Sequence, residues 1–279
     1  MFNHRLPAFH GSTPLARIAL ASAAVAITLG GAAAPASAQQ PGAGEGGELA
    51  GSTWGLGIGA ISAQQPYTGI DRDNKVLPVI LFENRYVRLF GPTLEAKLPS
   101  LALGGSQRLD VRAVVQYDGN GYESDDAPIL AGMAKRRSGF WAGAKVKWDN
   151  DIANVGVEWL ADVSSHSKGQ RLNLELERSW RFGERVVVTP RLAAQWSDRK
   201  TVDYYFGVRD SEAVGGRPAY DGRSGTSIDV GVRTMFNIDA HQALLFNVGV
   251  TALPSEIRDS PIVDRSTENR VLVAYLYRF

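Results

Sequence analysis

The chain has no cysteine among its 279 residues. That excludes disulfides, a thiolate nucleophile, cysteine zinc ligands and a lipid-modified cysteine anchor. Long hydrophobic runs are also missing. The one notable run, Ile18 to Leu29, is too short to span a membrane as a helix, which needs ~20 residues. Excess charge of one sign is absent too: 30 basic residues face 29 acidic ones, for a net charge of +1. Such a balance gives no basic face for nucleic acid, so no nucleic-acid partner is expected. No P-loop, paired-glycine dinucleotide fingerprint or Cys/His zinc spacing occurs, so no cofactor is expected. The stretch Gly119 to Asp126 is a loose match to a calcium loop without its closing Glu.

What is present begins with an export signal. Arg5 and Arg17 precede the apolar run, and Ala36-Ser37-Ala38 follows it as an A-x-A cleavage site. Residues 1–38 therefore read as a Sec signal peptide, with the mature chain starting near Gln39. Without Arg5 and Arg17 the balance is 28 basic against 29 acidic residues. Residues 39–52 are Gly-rich and unpatterned, as in a flexible periplasmic lead-in.

From there on the chain alternates. At its end Val271, Val273, Tyr275, Tyr277 and Phe279 share one face of a strand, a period of two. A strand closing on a terminal aromatic residue resembles the assembly signal of bacterial outer-membrane β-barrels, which implies the barrel assembly machinery and outer-membrane lipid as partners. Elsewhere Leu172, Leu174, Leu176, Trp180 and Phe182 oppose Asn173, Glu175, Glu177, Ser179 and Arg181. Ile228, Val230, Val232 and Phe236 oppose Asp229, Gly231 and Arg233. No segment shows a convincing helical period. Tight turns at 149–151, 183–184 and 239–240 alternate with long polar segments at 63–75, 119–138, 198–223 and 253–269. Short periplasmic turns and long external loops are the pattern of outer-membrane barrels.

With both termini periplasmic, the pattern predicts an all-β, transmembrane, antiparallel up-and-down barrel over residues 53–279. Strands are expected near 53–62, 76–83, 85–91, 92–98, 107–118, 139–148, 152–163, 170–182, 185–197, 224–237, 241–252 and 270–279. Twelve strands satisfy parity, and ten is the alternative if 76–98 pairs irregularly. Aromatic residues fall near strand ends, as two interfacial girdles require, while Trp141 has the opposite parity and should point inward.

The interior should then carry Glu95, Lys97, Arg112, Lys145, Lys147, Glu158, Glu175, Glu177, Arg181, Arg191, Asp229 and Arg233. Interspersed signs suit either a self-neutralising network or a narrow polar channel. External Tyr204, Tyr205, Arg209, Arg217 and Tyr220 form a candidate binding set. A hydrolase would need Asp125, Asp126, His166 and Asp198 or Asp203 to converge. Neither catalytic nor metal-ligating residues are otherwise evident.

The loops resemble those of the MipA/OmpV family of outer-membrane proteins. The resemblance rests on Pro66 to Asp71, Pro78, Ser124 to Pro128, Leu130 to Met133 with Arg136 or Arg137, Tyr204 to Val208, Glu212-Ala213, Pro218 to Tyr220 and the terminal Tyr-Arg-Phe. It implies a non-enzymatic barrel that holds a periplasmic murein hydrolase, a lytic transglycosylase, and a penicillin-binding synthase near the cell wall. Other members look like pores or surface proteins for binding and adhesion, and an outer-membrane hydrolase is the remote alternative.

Overall fold

A computed structural model describes residues 52–105 and 107–279; the expected signal peptide and all but the last residue of the expected lead-in lie outside them. Among the described residues, fourteen strands form one antiparallel sheet. They are β1 (Thr53–Gln64), β2 (Arg72–Glu83), β3 (Val87–Phe90), β4 (Thr93–Lys97), β5 (Leu101–Gly104), β6 (Gln107–Asp118) and β7 (Gly139–Asp149). The rest are β8 (Asn154–Asp162), β9 (Gln170–Glu177), β10 (Trp180–Phe182), β11 (Val186–Ser197), β12 (Gly225–Asn237), β13 (Gln242–Ala252) and β14 (Thr267–Arg278). Helix α1 (Arg199–Phe206) and the single-turn α2 (Ser255–Arg258) lie in the connections.

β1 pairs with β14 from Gly55↔Arg278 to Ala63↔Arg270, which closes the sheet on itself. β4 and β5 both pair with β6 as one interrupted stave, and β9 and β10 both pair with β11 as another. The closed wall therefore has twelve staves, an even number like other bacterial single-chain barrels. A 12-residue strand such as β1, tilted ~40°, rises roughly 30 Å, enough to cross a hydrocarbon layer.

Alternation sets the two faces. Leu56, Ile58, Leu174, Leu176, Val230, Val248 and Val273 point out and are exposed along the wall. Exposed apolar rows of this extent are stable only against lipid. Trp54, Trp148, Trp180, Phe182, Phe236, Tyr277 and Phe279 gather at the rim that carries the short turns, with Tyr277 and Phe279 edge to face at 5.1 Å. That rim is the periplasmic one by the loop-length rule. Replacing Ile58, in the middle of β1, with arginine should destabilise the folded barrel by about 2–4 kcal/mol. Urea titration in detergent, read by tryptophan fluorescence, measures it.

Prolines mark where the wall is interrupted. Pro190 of β11 faces the break between β9 and β10, where only the Arg178 amide reaches its carbonyl at 3.4 Å. Pro78 of β2 lies beside a larger gap. β3 and β4 are only 4 and 5 residues long, while both flanking strands, β2 and β6, have 12. A strand proline cannot donate to a ladder, so it belongs where no partner exists.

The elements differ from the sequence expectation at several points: β14 starts at Thr267 and not near 270, and β5 lies where no strand was expected. β1 and β2 run on to Gln64 and back from Arg72, so their connection is shorter than 63–75. Arg72 is held there by hydrogen bonds to Ser62 and Asn269, so polar side chains extend the ladder beyond the apolar pattern. α1 was also not anticipated: Asp198 accepts from the Thr201 amide as its N-cap, but two turns are too few for a legible period.

Candidate functional site

The barrel is lined at mid-height by ion pairs and closed at its external mouth by a folded cap. Inside, Glu95 accepts from Arg112 at 2.6 Å and lies 3.6 Å from Arg88. Glu83 joins Lys97 at 2.5 Å and Arg88 at 3.8 Å. Glu177 binds Arg233 at 2.9 Å and lies 3.9 Å from Lys147. Asp229 sits between Arg191 at 2.6 Å and Arg270 at 2.9 Å, and Arg191 reaches Glu175 at 3.9 Å. Lys145 faces Glu158 across β7 and β8. Eleven of the twelve expected interior charges thus stand among opposite charges, and Arg181 stands exposed at the periplasmic end, in β10. Arg88, Glu83, Asp118, Arg171, Glu268 and Arg270 also belong to the interior, as do Asp73, Lys75 and Asp110. Parity would have found Glu268 and Arg270, since they alternate with Val271 and Val273 on β14. Arg88 lies in a strand too short to show a period.

Above the network, Arg171 pairs with the fully buried Asp118 and lays its guanidinium 3.9 Å over the Trp141 ring. Trp141 is inward and buried with Val114 and Leu160, as its parity implied. Gly143 lets this strand pair close: a Cβ there would meet the Trp159 carbonyl oxygen at 1.8 Å.

The cap has its own apolar core, built from every long connection: Tyr67, Tyr122, Leu130, Met133, Val202 and Ile262 are among its buried members. A buried ion pair ties two of its loops. Arg136 of the 119–138 connection binds Glu212 of the 198–224 connection through both guanidinium ends, at 2.8 and 3.1 Å. Glu212 also accepts from the Ala134 and Arg209 amides at 3.0 and 3.1 Å. Arg136 further donates to the Tyr204 carbonyl at 2.6 Å. Burial pushes the Glu212 carboxyl up, but Arg136 and the two amides outweigh it and hold its pKa at about 2. A depressed carboxyl pKa stabilises above the free value, and that gain disappears as pH falls through the folded one. The cap should therefore lose of the order of 2–3 kcal/mol between about pH 4.5 and 2, seen as protease cleavage in 119–138 while the barrel stays folded.

The five external candidates fall in different places. Tyr205 and Arg217 are buried inside the cap. Arg217 donates to the carbonyls of Ile129 and Glu212, bracing the loops. Tyr204 uses its hydroxyl for the Arg137 amide at 2.8 Å, and Tyr220 donates to the Glu256 carbonyl at 3.0 Å. Arg209 is exposed. The hydrolytic candidates do not converge. Asp198 caps α1, Asp203 accepts from the Gly222 amide, and the His166 ring contacts the Ser138 carbonyl.

Beneath the cap lies a cavity of about 180 Å³. Tyr67, Tyr205 and Phe206 roof it, and Gln195, Asp229 and Glu268 line its wall. Glu268 makes no hydrogen bond or ion pair with a described residue.

Residues 56–279 match the family described as MltA-interacting protein MipA. The chain belongs to that family. Its relatives include a putative outer membrane protein, YiaT, of Escherichia coli K12, 25% identical over 80% of this chain and 90% of that one. The MltA-interacting protein of the same organism is 23% identical over 81% of this chain and 89% of its own. Outer membrane protein OmpV of Vibrio cholerae is 26% identical over 58% of this chain and 62% of its own. Among solved structures, an outer membrane channel from Pseudomonas putida F1 superposes with a TM-score of 0.44 at 12% identity, covering 82% of this chain and 96% of that chain. The protein is thus an outer-membrane β-barrel of the MipA family, a family described by an interaction and not by a reaction.

Proposed function

We propose that this barrel is a non-enzymatic scaffold that holds peptidoglycan-remodelling enzymes, a lytic transglycosylase and a penicillin-binding synthase, at the inner surface of the outer membrane. The family's description and the name of one relative refer to an interaction with MltA, which supports the reading. The observation that carries the reading is the capped lumen: the Arg136–Glu212 cap covers its mouth, and ion pairs between near staves line the wall below. A barrel blocked in this way suits anchoring better than passage.

A docking edge is available at the periplasmic rim. β5 pairs only with β6, so its other edge has no strand partner among the described residues, and Leu101 to Gly104 are all exposed. An extended segment of a periplasmic enzyme can add to such an edge by main-chain hydrogen bonds. Export by a signal peptide cleaved near Ala38 belongs to the same proposal.

The test is affinity capture from detergent extracts with the wild-type barrel and with a Leu101→Glu/Leu103→Glu variant. Recovery of a murein hydrolase or synthase by the wild type, reduced several-fold in the variant, is the expected result. Absence of any wall enzyme removes the scaffold. The cavity under the cap favours a second reading, a surface protein binding a small polar solute beside Glu268, and calorimetry with candidate solutes distinguishes it.

A further inference from the structure

The wall has a window in its outer half. The β3–β4 hairpin meets β2 only as far up as Leu81↔Phe90, with one more bond from the Gly91 amide to the Ile80 carbonyl at 3.0 Å. On its other side it pairs with β6 up to Thr93↔Gln116, followed by the Tyr117 amide on the Pro92 carbonyl at 3.0 Å. β2 from Arg72 to Val79 pairs with β1 alone. The opening is two strand spacings wide, about 10 Å. Its sill is Gly91–Pro92, its sides are β2 and the top of β6, and above it the 119–138 connection leans toward Gly69 at Ala127 and Pro128.

Three features say what faces this opening. First, the side chains around it are apolar on both wall surfaces. Val76, Pro78 and Ile80 point out; Leu77, Val79, Leu81 and Phe90 point in, on a barrel surface that is otherwise mostly ionic. Second, Leu77 is 46% exposed although it faces inward, whereas the inward Leu245 of β13 is 2% exposed. Third, the backbone is adapted to a dry gap. The Ile80 carbonyl points to the hairpin, so by alternation residues 78, 76 and 74 present their main-chain groups to the window. Pro78 removes the donor that would otherwise stand unpaired there. Higher up, at Asn74 and Arg72, the edge becomes polar.

We infer that this window admits the acyl chain of an outer-leaflet amphiphile, which packs inside the wall on Leu77, Val79, Leu81 and Phe90. Its head group lies against the β2 edge at Val76 and Asn74, where the main-chain groups left free in the gap meet polar atoms. An open sheet edge facing bare hydrocarbon costs several kcal/mol per unsatisfied group, and an amphiphile oriented in this way satisfies it. A second copy of the chain is a poor occupant. Two upright barrels related by an axis along the membrane normal cannot lay tilted β2 edges alongside each other.

The absence of cysteine makes the test simple. Leu77→Cys, Ile58→Cys and Thr251→Cys each carry one environment-sensitive fluorophore in vesicles of phosphatidylcholine with brominated acyl chains. Position 58 faces lipid and position 251 lines the capped cavity. Quenching at position 77 close to that at 58, and several-fold above that at 251, is the expected result. Quenching as weak as at 251, or quenching by aqueous iodide in place of bromolipid, overturns the inference. Heat-modifiable migration on gels checks folding, and Val79→Cys, one step along the same face, serves if Leu77→Cys does not assemble.

Discussion

Replacing Glu212 by alanine should open the cap. The substitution leaves the Arg136 guanidinium buried without its carboxylate, and two amides lose their acceptor. Removing one partner of a buried pair costs about 3–5 kcal/mol, which is comparable to the stability of a small unit such as this loop cluster. The barrel wall has its own ladder and should survive. The expected result is rapid proteolysis within 119–138 and 198–224 with the barrel still migrating as folded. In planar bilayers, conductance should rise intermittently above the closed wild-type level. Glu212→Gln keeps one carbonyl oxygen that can accept from one of the two amides or from Arg136, and should have a smaller effect. If the alanine variant resists protease as well as the wild type, the clamp does not hold the cap.

Asp229→Ala should be the most destabilising single change in the wall. Its carboxylate serves Arg191 at 2.6 Å and Arg270 at 2.9 Å, and it also accepts from Thr251 at 2.9 Å. Without it, two buried guanidinium groups, Arg191 of β11 and Arg270 of β14, repel each other across an ion-lined interior. The expected loss is at least about 3–5 kcal/mol, measured as a lower urea midpoint in detergent with the slope unchanged. Adding Arg270→Met in the same chain should recover part of that loss, because it removes one of the two orphaned charges. A double variant no more stable than Asp229→Ala alone would show that repulsion is not the cause.

The sequence was most legible where one physical rule acts along one strand. In β14 the lipid-facing row Val271 to Phe279 was visible because alternation needs no partner to express it. The same holds for β9 and β12, whose charged positions could be assigned to the interior from parity alone. Trp141 could be placed inside for the same reason. The hairpin at 85–98 was harder to read. Arg88 sits in a 4-residue strand, and so short a segment fits more than one register.

The loops were legible only as loops. Tyr205 and Arg217 look like exposed binding groups in a polar stretch, but they meet partners from earlier connections: Tyr205 meets Tyr67 and Arg137, and Arg217 meets Ile129. That meeting is a property of barrel closure. The joining of Arg136 to Glu212 has the same origin. Both residues belonged to the motifs of the family resemblance, but nothing in their spacing shows that they touch.

By itself, then, the sequence determined the medium, the barrel and the facing of the long strands, with twelve staves favoured over ten. These follow from a period of two and from the cost of placing charge in hydrocarbon. The tertiary structure alone decided that the mouth is capped, that Asp229 serves two arginines and that β2 has a free edge above a short hairpin. Each of these depends on register between strands distant in the chain, which local alternation does not encode.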